Sequence, residues 1–119
     1  YSYIQDMVEA AGYEAKMIPG VTSFCAVAAA LGTSLTTMHQ PIHIYPGGDT
    51  ATALTHPGTK VLMKTGKAMV DARTAIVEAG LEKKTMLVQN CGLPTEQIHH
   101  NLADASNDIS YFTTIIVKD

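Results

Sequence analysis

An α/β architecture is expected of these 119 residues: a three-layer αβα sandwich built on a mixed sheet of about five strands. Runs rich in Val, Ile, Leu and Thr alternate along the chain with stretches whose apolar residues recur at helical spacing, the pattern of a sheet covered on both faces. Glycines stand just beyond the helical stretches, at Gly12, Gly32 and Gly80, where left-handed caps end helices. With 46% hydrophobic and 16% charged residues, the composition is that of one folded domain whose core needs neither disulfide nor metal.

In chain order, Ser2 to Ala11 reads as a helix because Ile4, Met7, Val8 and Ala11 follow the i, i+3, i+4, i+7 rule. Glu14 to Ile18 reads as a short strand. Thr22 to Leu31 is a small-residue helix with Phe24, Val27, Ala28 and Leu31 on one stripe and Thr22 or Ser23 as its cap. Ser34 to Gln40 is polar and irregular, and Pro41 to Pro46 alternates as a strand bounded by prolines. Asp49 is placed to cap a short helix ending at Leu54. Pro57-Gly58 then turns the chain into a buried strand, Thr59 to Lys64. Lys67 to Ala79 reads as a helix with Met69, Ala72, Ile76 and Ala79 inward, and Lys84 to Gln89 as a strand. Glu96 to Leu102 fits strand and helix equally, whereas the β-branched and aromatic Tyr111 to Lys118 makes a closing strand.

Charge and cysteine usage exclude several function classes. A formal charge of −3, with only eight scattered Lys and Arg, provides no basic groove, so no nucleic-acid partner is expected. Cys25 and Cys91 form no C-x-x-C pattern, which excludes a zinc ribbon or a thioredoxin-type motif and leaves reduced thiols of a cytoplasmic protein. No secretory leader is visible and no apolar run approaches the roughly 20 residues of a bilayer span, so no membrane association is expected. Tyr1 already opens a helical pattern, and the expectation is therefore a domain belonging to a longer protein.

Three junctions carry the candidate chemistry. At Pro19-Gly20-Val21-Thr22-Ser23 an apolar segment runs into a helix start, where the two hydroxyls either hold a ligand or cap the helix. Met63-Lys64-Thr65-Gly66 sits at the carboxyl end of a strand, where α/β sheets bind ligands. Met63 there is core or contact, and Lys64 either neutralises a carboxylate or faces water. Asn90-Cys91-Gly92 also follows a strand and either offers backbone amides to a flat heterocycle or makes a tight turn around an inert thiol. His39 and His43 are four apart, but Pro41 between them removes the helical face a metal pair needs. His99 and His100 diverge on a strand, and His56 precedes Pro57 without a pattern. With no Ser-His-Asp or Cys-His arrangement and no G-x-G-x-x-G, no catalytic residue and no metal ligand is assigned.

Taken together, Ile18 to Ala26, Pro57 to Gly66, Gln89 to Gly92 and Tyr111 to Lys118 resemble the tetrapyrrole methylases, and within them the subgroup that methylates C20 of precorrin-2 or cobalt-factor II in cobalamin biosynthesis. The resemblance spans residues 1–119 and covers the family's C-terminal domain only; the N-terminal domain, with its glycine-rich entrance and acidic glycine loop, has no counterpart. It implies that S-adenosyl-L-methionine lies in a cleft between two domains, one wall of which is lined by Thr22, Ser23, Met63, Lys64, Asn90, Cys91, Thr113 and Thr114. The implied reaction is attack of a nucleophilic meso carbon on the sulfonium methyl, for which the protein's main task is alignment. A tetrapyrrole is the implied substrate and a homodimer the implied assembly. The alternatives are the same domain acting at another ring carbon and a non-catalytic dimerisation module.

Overall fold

The computed structural model describes residues 2–119. Its elements are α1 (Ser2–Ala10), α2 (Ser23–Ala30), β1 (Ile42–Pro46), α3 (Thr50–Leu54), β2 (Thr59–Met63), α4 (Met69–Glu78), β3 (Thr85–Gln89), β4 (Gln97–His99) and β5 (Thr113–Val117), with 3-10 turns at Gly66–Ala68, Glu82–Lys84 and Leu102–Asp104. The sheet runs β1-β2-β5-β3-β4. β1 and β2 are parallel, β5 is antiparallel to both β2 and β3, and β4 is antiparallel to β3.

β5 is the centre of the sheet because its sequence, Thr-Thr-Ile-Ile-Val, is β-branched throughout and suits burial on both faces. Alternation sends Ile115 and Val117 to one face, where they join Leu62, Leu87, Met69, Ala72 and Ile76 in a core covered by α3 and α4. Ile116 goes to the other face and packs with Val88 under Val27, Ala28 and Leu31 of the α2 layer. Three layers result, as expected. Ile115 is fully buried, and replacing it by Ala is a loss of about 2–5 kcal/mol. The prolines bounding β1 fit its place at the sheet edge, where one side of the strand needs no ladder.

Helix α4 buries Met69, Ala72 and Ile76 and ends in a Schellman cap: the Gly80 N–H donates to the Val77 carbonyl at 2.9 Å and the Leu81 N–H to the Ile76 carbonyl at 3.0 Å, with Gly80 at φ +68°. The same pair of bonds closes α1 at Gly12 and α2 at Gly32. Ala79, expected inward, is the C-cap residue itself and is exposed.

Other expectations are corrected. Glu14–Ile18 is not a strand; residues 13–22 have no regular structure, and Met17 and Ile18 are 64% and 81% exposed. A strand needs a neighbour to complete its ladder, and the sheet's strands pair only with one another. The apolar stripe of α1 is present, but no α1 side chain is buried. The side-chain caps expected from Thr22 or Ser23 and from Asp49 are not made; the Thr22 and Asp49 carbonyls instead accept the first helical bonds, from Ala26 and Ala53 at 3.1 Å. The 96–102 ambiguity resolves as β4 followed by a 3-10 turn, and the last strand starts at Thr113 rather than Tyr111.

Lys60 is 2% exposed, and its ammonium pairs with the Asp119 carboxylate, which also accepts the Gly58 N–H. The hydrogen bond from Lys60, then that from Gly58, hold the Asp119 carboxyl below the usual range against the opposing effect of burial. Its stabilising contribution is fully present above the ordinary carboxylate value of about 4 and is lost as pH falls from there through the lower folded value. Asp119→Asn is accordingly expected to lower the urea midpoint at pH 7, with the gap to wild type closing below pH about 4. Urea titrations at stepped pH check this, and a gap that persists undiminished in acid would refute the pairing.

Candidate functional site

Because β5 runs opposite to β2 and β3, its amino end meets their carboxyl ends along one edge of the sheet. The ladder continues past the strands: the Lys64 N–H donates to the Thr113 carbonyl at 3.0 Å and the Asn90 N–H to the Phe112 carbonyl at 2.9 Å. Helix α2 begins over the same edge. Between them lies a half-open, mainly apolar groove of about 400 Å³ lined by Ser23, Val27, Met63, Lys64, Asn90, Cys91, Leu93, Tyr111, Phe112, Thr113 and Thr114.

Both strand exits turn through the left-handed region, Lys64 at φ +59° and Asn90 at φ +52°. Asn tolerates that conformation, whereas for Lys it costs about 1 kcal/mol. The backbone around Lys64 is gripped closely. A Cβ on Gly47 would lie 2.6 Å from the Lys64 carbonyl oxygen, and one on Gly66 2.9 Å from that of Ser110, so glycine is required at both. The Tyr111 and Phe112 rings meet edge to face with centroids 5.4 Å apart, and the Lys64 ammonium lies 5.7 Å from the Tyr111 centroid, within cation-π range.

The second loop is tied to itself. The Asn90 amide donates to Thr95 Oγ1 at 3.1 Å, and the Glu96 carboxylate accepts the Gly92 N–H at 2.6 Å. Burial, then the hydrogen bond and the charge of Glu96, push the Cys91 thiol up from its ordinary value. The thiol is therefore a neutral lining group rather than a nucleophile. Behind the groove, the nearly buried Gln89 accepts the Ser110 N–H at 3.1 Å and so anchors the segment that carries the aromatic pair.

Ser23, Met63, Lys64, Asn90, Cys91, Thr113 and Thr114 are thus brought to one groove, while Thr22 stands one residue outside its lining. Val27, Leu93, Tyr111 and Phe112 line it without having been singled out from the sequence. An aromatic pair directly before a β-branched run was the available signal, but it reads equally well as strand. His56, which carried no pattern, bonds the Tyr45 hydroxyl through Nδ1 at 2.9 Å and stacks near His43, away from the groove.

A family model described as Tetrapyrrole (Corrin/Porphyrin) Methylases matches residues 1–105. The chain is 31% identical over 109 residues to the cobalt-precorrin-2 C(20)-methyltransferase of Salmonella typhimurium, a match covering 87% of the chain and 46% of that protein. Among solved structures, a cobalt precorrin-4 methyltransferase superposes with a TM-score of 0.77 at 20% identity, over 98% of this chain and 57% of that one. A uroporphyrin-III C-methyltransferase from Thermus thermophilus complexed with S-adenosyl homocysteine gives 0.67 at 17% identity, over 99% and 58%. The chain spans about half the length of the curated relative it matches. The solved structures share its fold.

Cys91 is expected to react with iodoacetamide more slowly than Cys25 at pH 8, because Cys91 is the less exposed of the two and its thiol is pushed up by burial and Glu96. Glu96→Gln, which removes the charge that helps raise it, should speed Cys91 and leave Cys25 unchanged. Peptide mapping of the two alkylation rates checks both, and equal rates in wild type would contradict the assignment.

Proposed function

Because this chain belongs to the tetrapyrrole (corrin/porphyrin) methylases, we propose that it is the carboxyl-terminal lobe of an S-adenosylmethionine-dependent C-methyltransferase acting at C20 of precorrin-2 or cobalt-factor II. The observation that carries this reading is the strand-end groove, which gathers seven of the eight residues that the family resemblance assigns to the methyl donor. The 31% identity to a C20 enzyme supports the choice of ring position. In this reading the lobe acts in the cytoplasm within a homodimer. No helix among the described residues is long and apolar enough to cross a membrane.

The groove's residues suit such an occupant. Val27, Leu93 and Phe112 supply apolar walls, Tyr111 and Phe112 ring faces for a heterocycle, and Ser23 a hydroxyl at a helix start where its side chain makes no cap. When bound, the donor supplies a sulfonium methyl that a meso carbon of the macrocycle takes in line, the sulfur leaving with the bonding electron pair as a neutral thioether. The lobe's part is to hold one reactant still on a floor of backbone hydrogen bonds and to keep water from its apolar side. Cys91 is kept protonated, so it does not compete for the methyl. The nearly buried Gln89 fixes the aromatic wall through Ser110.

A groove open on one side aligns only one of two reactants. The chain alone is therefore expected to show no methyl transfer and weak affinity for S-adenosylhomocysteine in titration calorimetry, with affinity appearing when an amino-terminal lobe is added in trans. Turnover of precorrin-2 by the chain alone would overturn the half-cleft reading. No heat even with both lobes present would overturn the donor site and favour a non-catalytic dimerisation module.

A further inference from the structure

We propose that Lys64 is the carboxylate-recognition residue of the strand-end groove, its ammonium taking an anionic group of the bound molecule. This rests on the function proposed above and deepens it by naming the chemistry that one side chain reads.

Three observations carry it. Lys64 is the charged member of a lining in which every other side chain is uncharged. Lys64 is exposed, so its ammonium stands open at the groove to an incoming anion. Its charge is also unspent. Among the described residues the ion pair present is Lys60 with Asp119, and no carboxylate lies within ion-pair distance of the Lys64 ammonium. That ammonium instead lies 5.7 Å from the Tyr111 ring centroid, which lays the side chain along the groove wall.

The third observation is the backbone. Lys64 holds φ +59°, a conformation glycine adopts freely and Asn tolerates, as Asn90 does at the neighbouring exit. The bond from the Lys64 N–H to the Thr113 carbonyl, and the close approach of Gly47 to the Lys64 carbonyl, hold it there. A long cationic side chain is thus kept at a position where the fold would be more relaxed without one. Strain retained at a ligand groove is the mark of a group kept for what it binds. The shared chemistry is a carboxylate, carried both by the amino-acid end of the methyl donor and by the acid side chains of the macrocycle.

The test is calorimetry with S-adenosylhomocysteine and its decarboxylated analogue on wild type, Lys64→Gln, Lys64→Arg and Lys64→Gly, each with an amino-terminal lobe present. Losing a charge-assisted hydrogen bond should weaken S-adenosylhomocysteine binding by about tenfold or more in Lys64→Gln. Lys64→Arg should restore it, and the decarboxylated analogue should bind wild type and Lys64→Gln alike. Lys64→Gly should lose the same affinity while its thermal midpoint holds or rises, a combination that a merely structural lysine does not produce. A raised KM for precorrin-2 in Lys64→Gln, at unchanged kcat and unchanged S-adenosylhomocysteine affinity, would support the proposal and place the carboxylate on the macrocycle. Unchanged affinity together with unchanged KM would overturn it and leave the proposed function standing. A wild type that takes up neither ligand would instead sink that function, and this inference with it.

Discussion

The insertion of β5 between β2 and β3, antiparallel to both, is the constraint on which the rest depends. Its five residues are all buried, so their amides and carbonyls must be paired, and both neighbours are needed to pair them. Direction then decides the geography. Two carboxyl strand ends and one amino end are brought to a single edge, and bonds from Lys64 to Thr113 and from Asn90 to Phe112 extend the ladder beyond the strands into the loops. The groove floor is therefore main chain. Side chains at Lys64 and Asn90 project from a frame that their own identities do little to build.

The two faces of the sheet meet this frame differently. On one, α3 and α4 cover a core of Leu62, Leu87, Ile115 and Val117, a layer that sets stability and takes no part in the groove. On the other, the short helix α2 rests on Val88 and Ile116 through Val27, Ala28 and Leu31. Val27 is almost fully buried and also lines the groove. The packing of α2 and the shape of the site are thus one quantity: a change that tilts α2 moves Ser23 with it.

The sequence made the central layers legible and the periphery less so. Ile115, Ile116 and Val117 announce a buried strand by their branching, and Met69, Ala72 and Ile76 announce the α4 stripe by their spacing, because local pattern and tertiary demand agree there. At Glu14–Ile18 they disagree: the residues suit a strand, yet strandedness belongs to pairs, and no single sequence states whether a partner is present. Thr22 has the composition of a side-chain cap, but its carbonyl suffices for the first helical bonds. Lys64 and Asn90 were recognisable as loop residues after strands, whereas the left-handed turn at both is imposed by the neighbouring backbone. Tyr111 and Phe112 belong to the groove because Gln89, far away in sequence, holds Ser110 in place.

The same reasoning bears on the amino-terminal arm. Helix α1 carries an apolar stripe at helical spacing and buries none of it, and Met17, Ile18 and Val21 of the following segment are exposed as well. The radius of gyration is 16.0 Å, against about 13–14 Å for a compact chain of this length. A sequence that patterns a helix for burial, in a fold that leaves it bare, presents an apolar surface open to pairing. Under the proposed function the groove makes a like demand from its open side, since alignment of two reactants needs walls on both. In the two-lobe reading one sister lobe meets both demands, because the segment that carries the bare stripe leads directly into the helix whose first residue, Ser23, lines the groove. Seating the arm would fix the start of α2, and the start of α2 is one edge of the site.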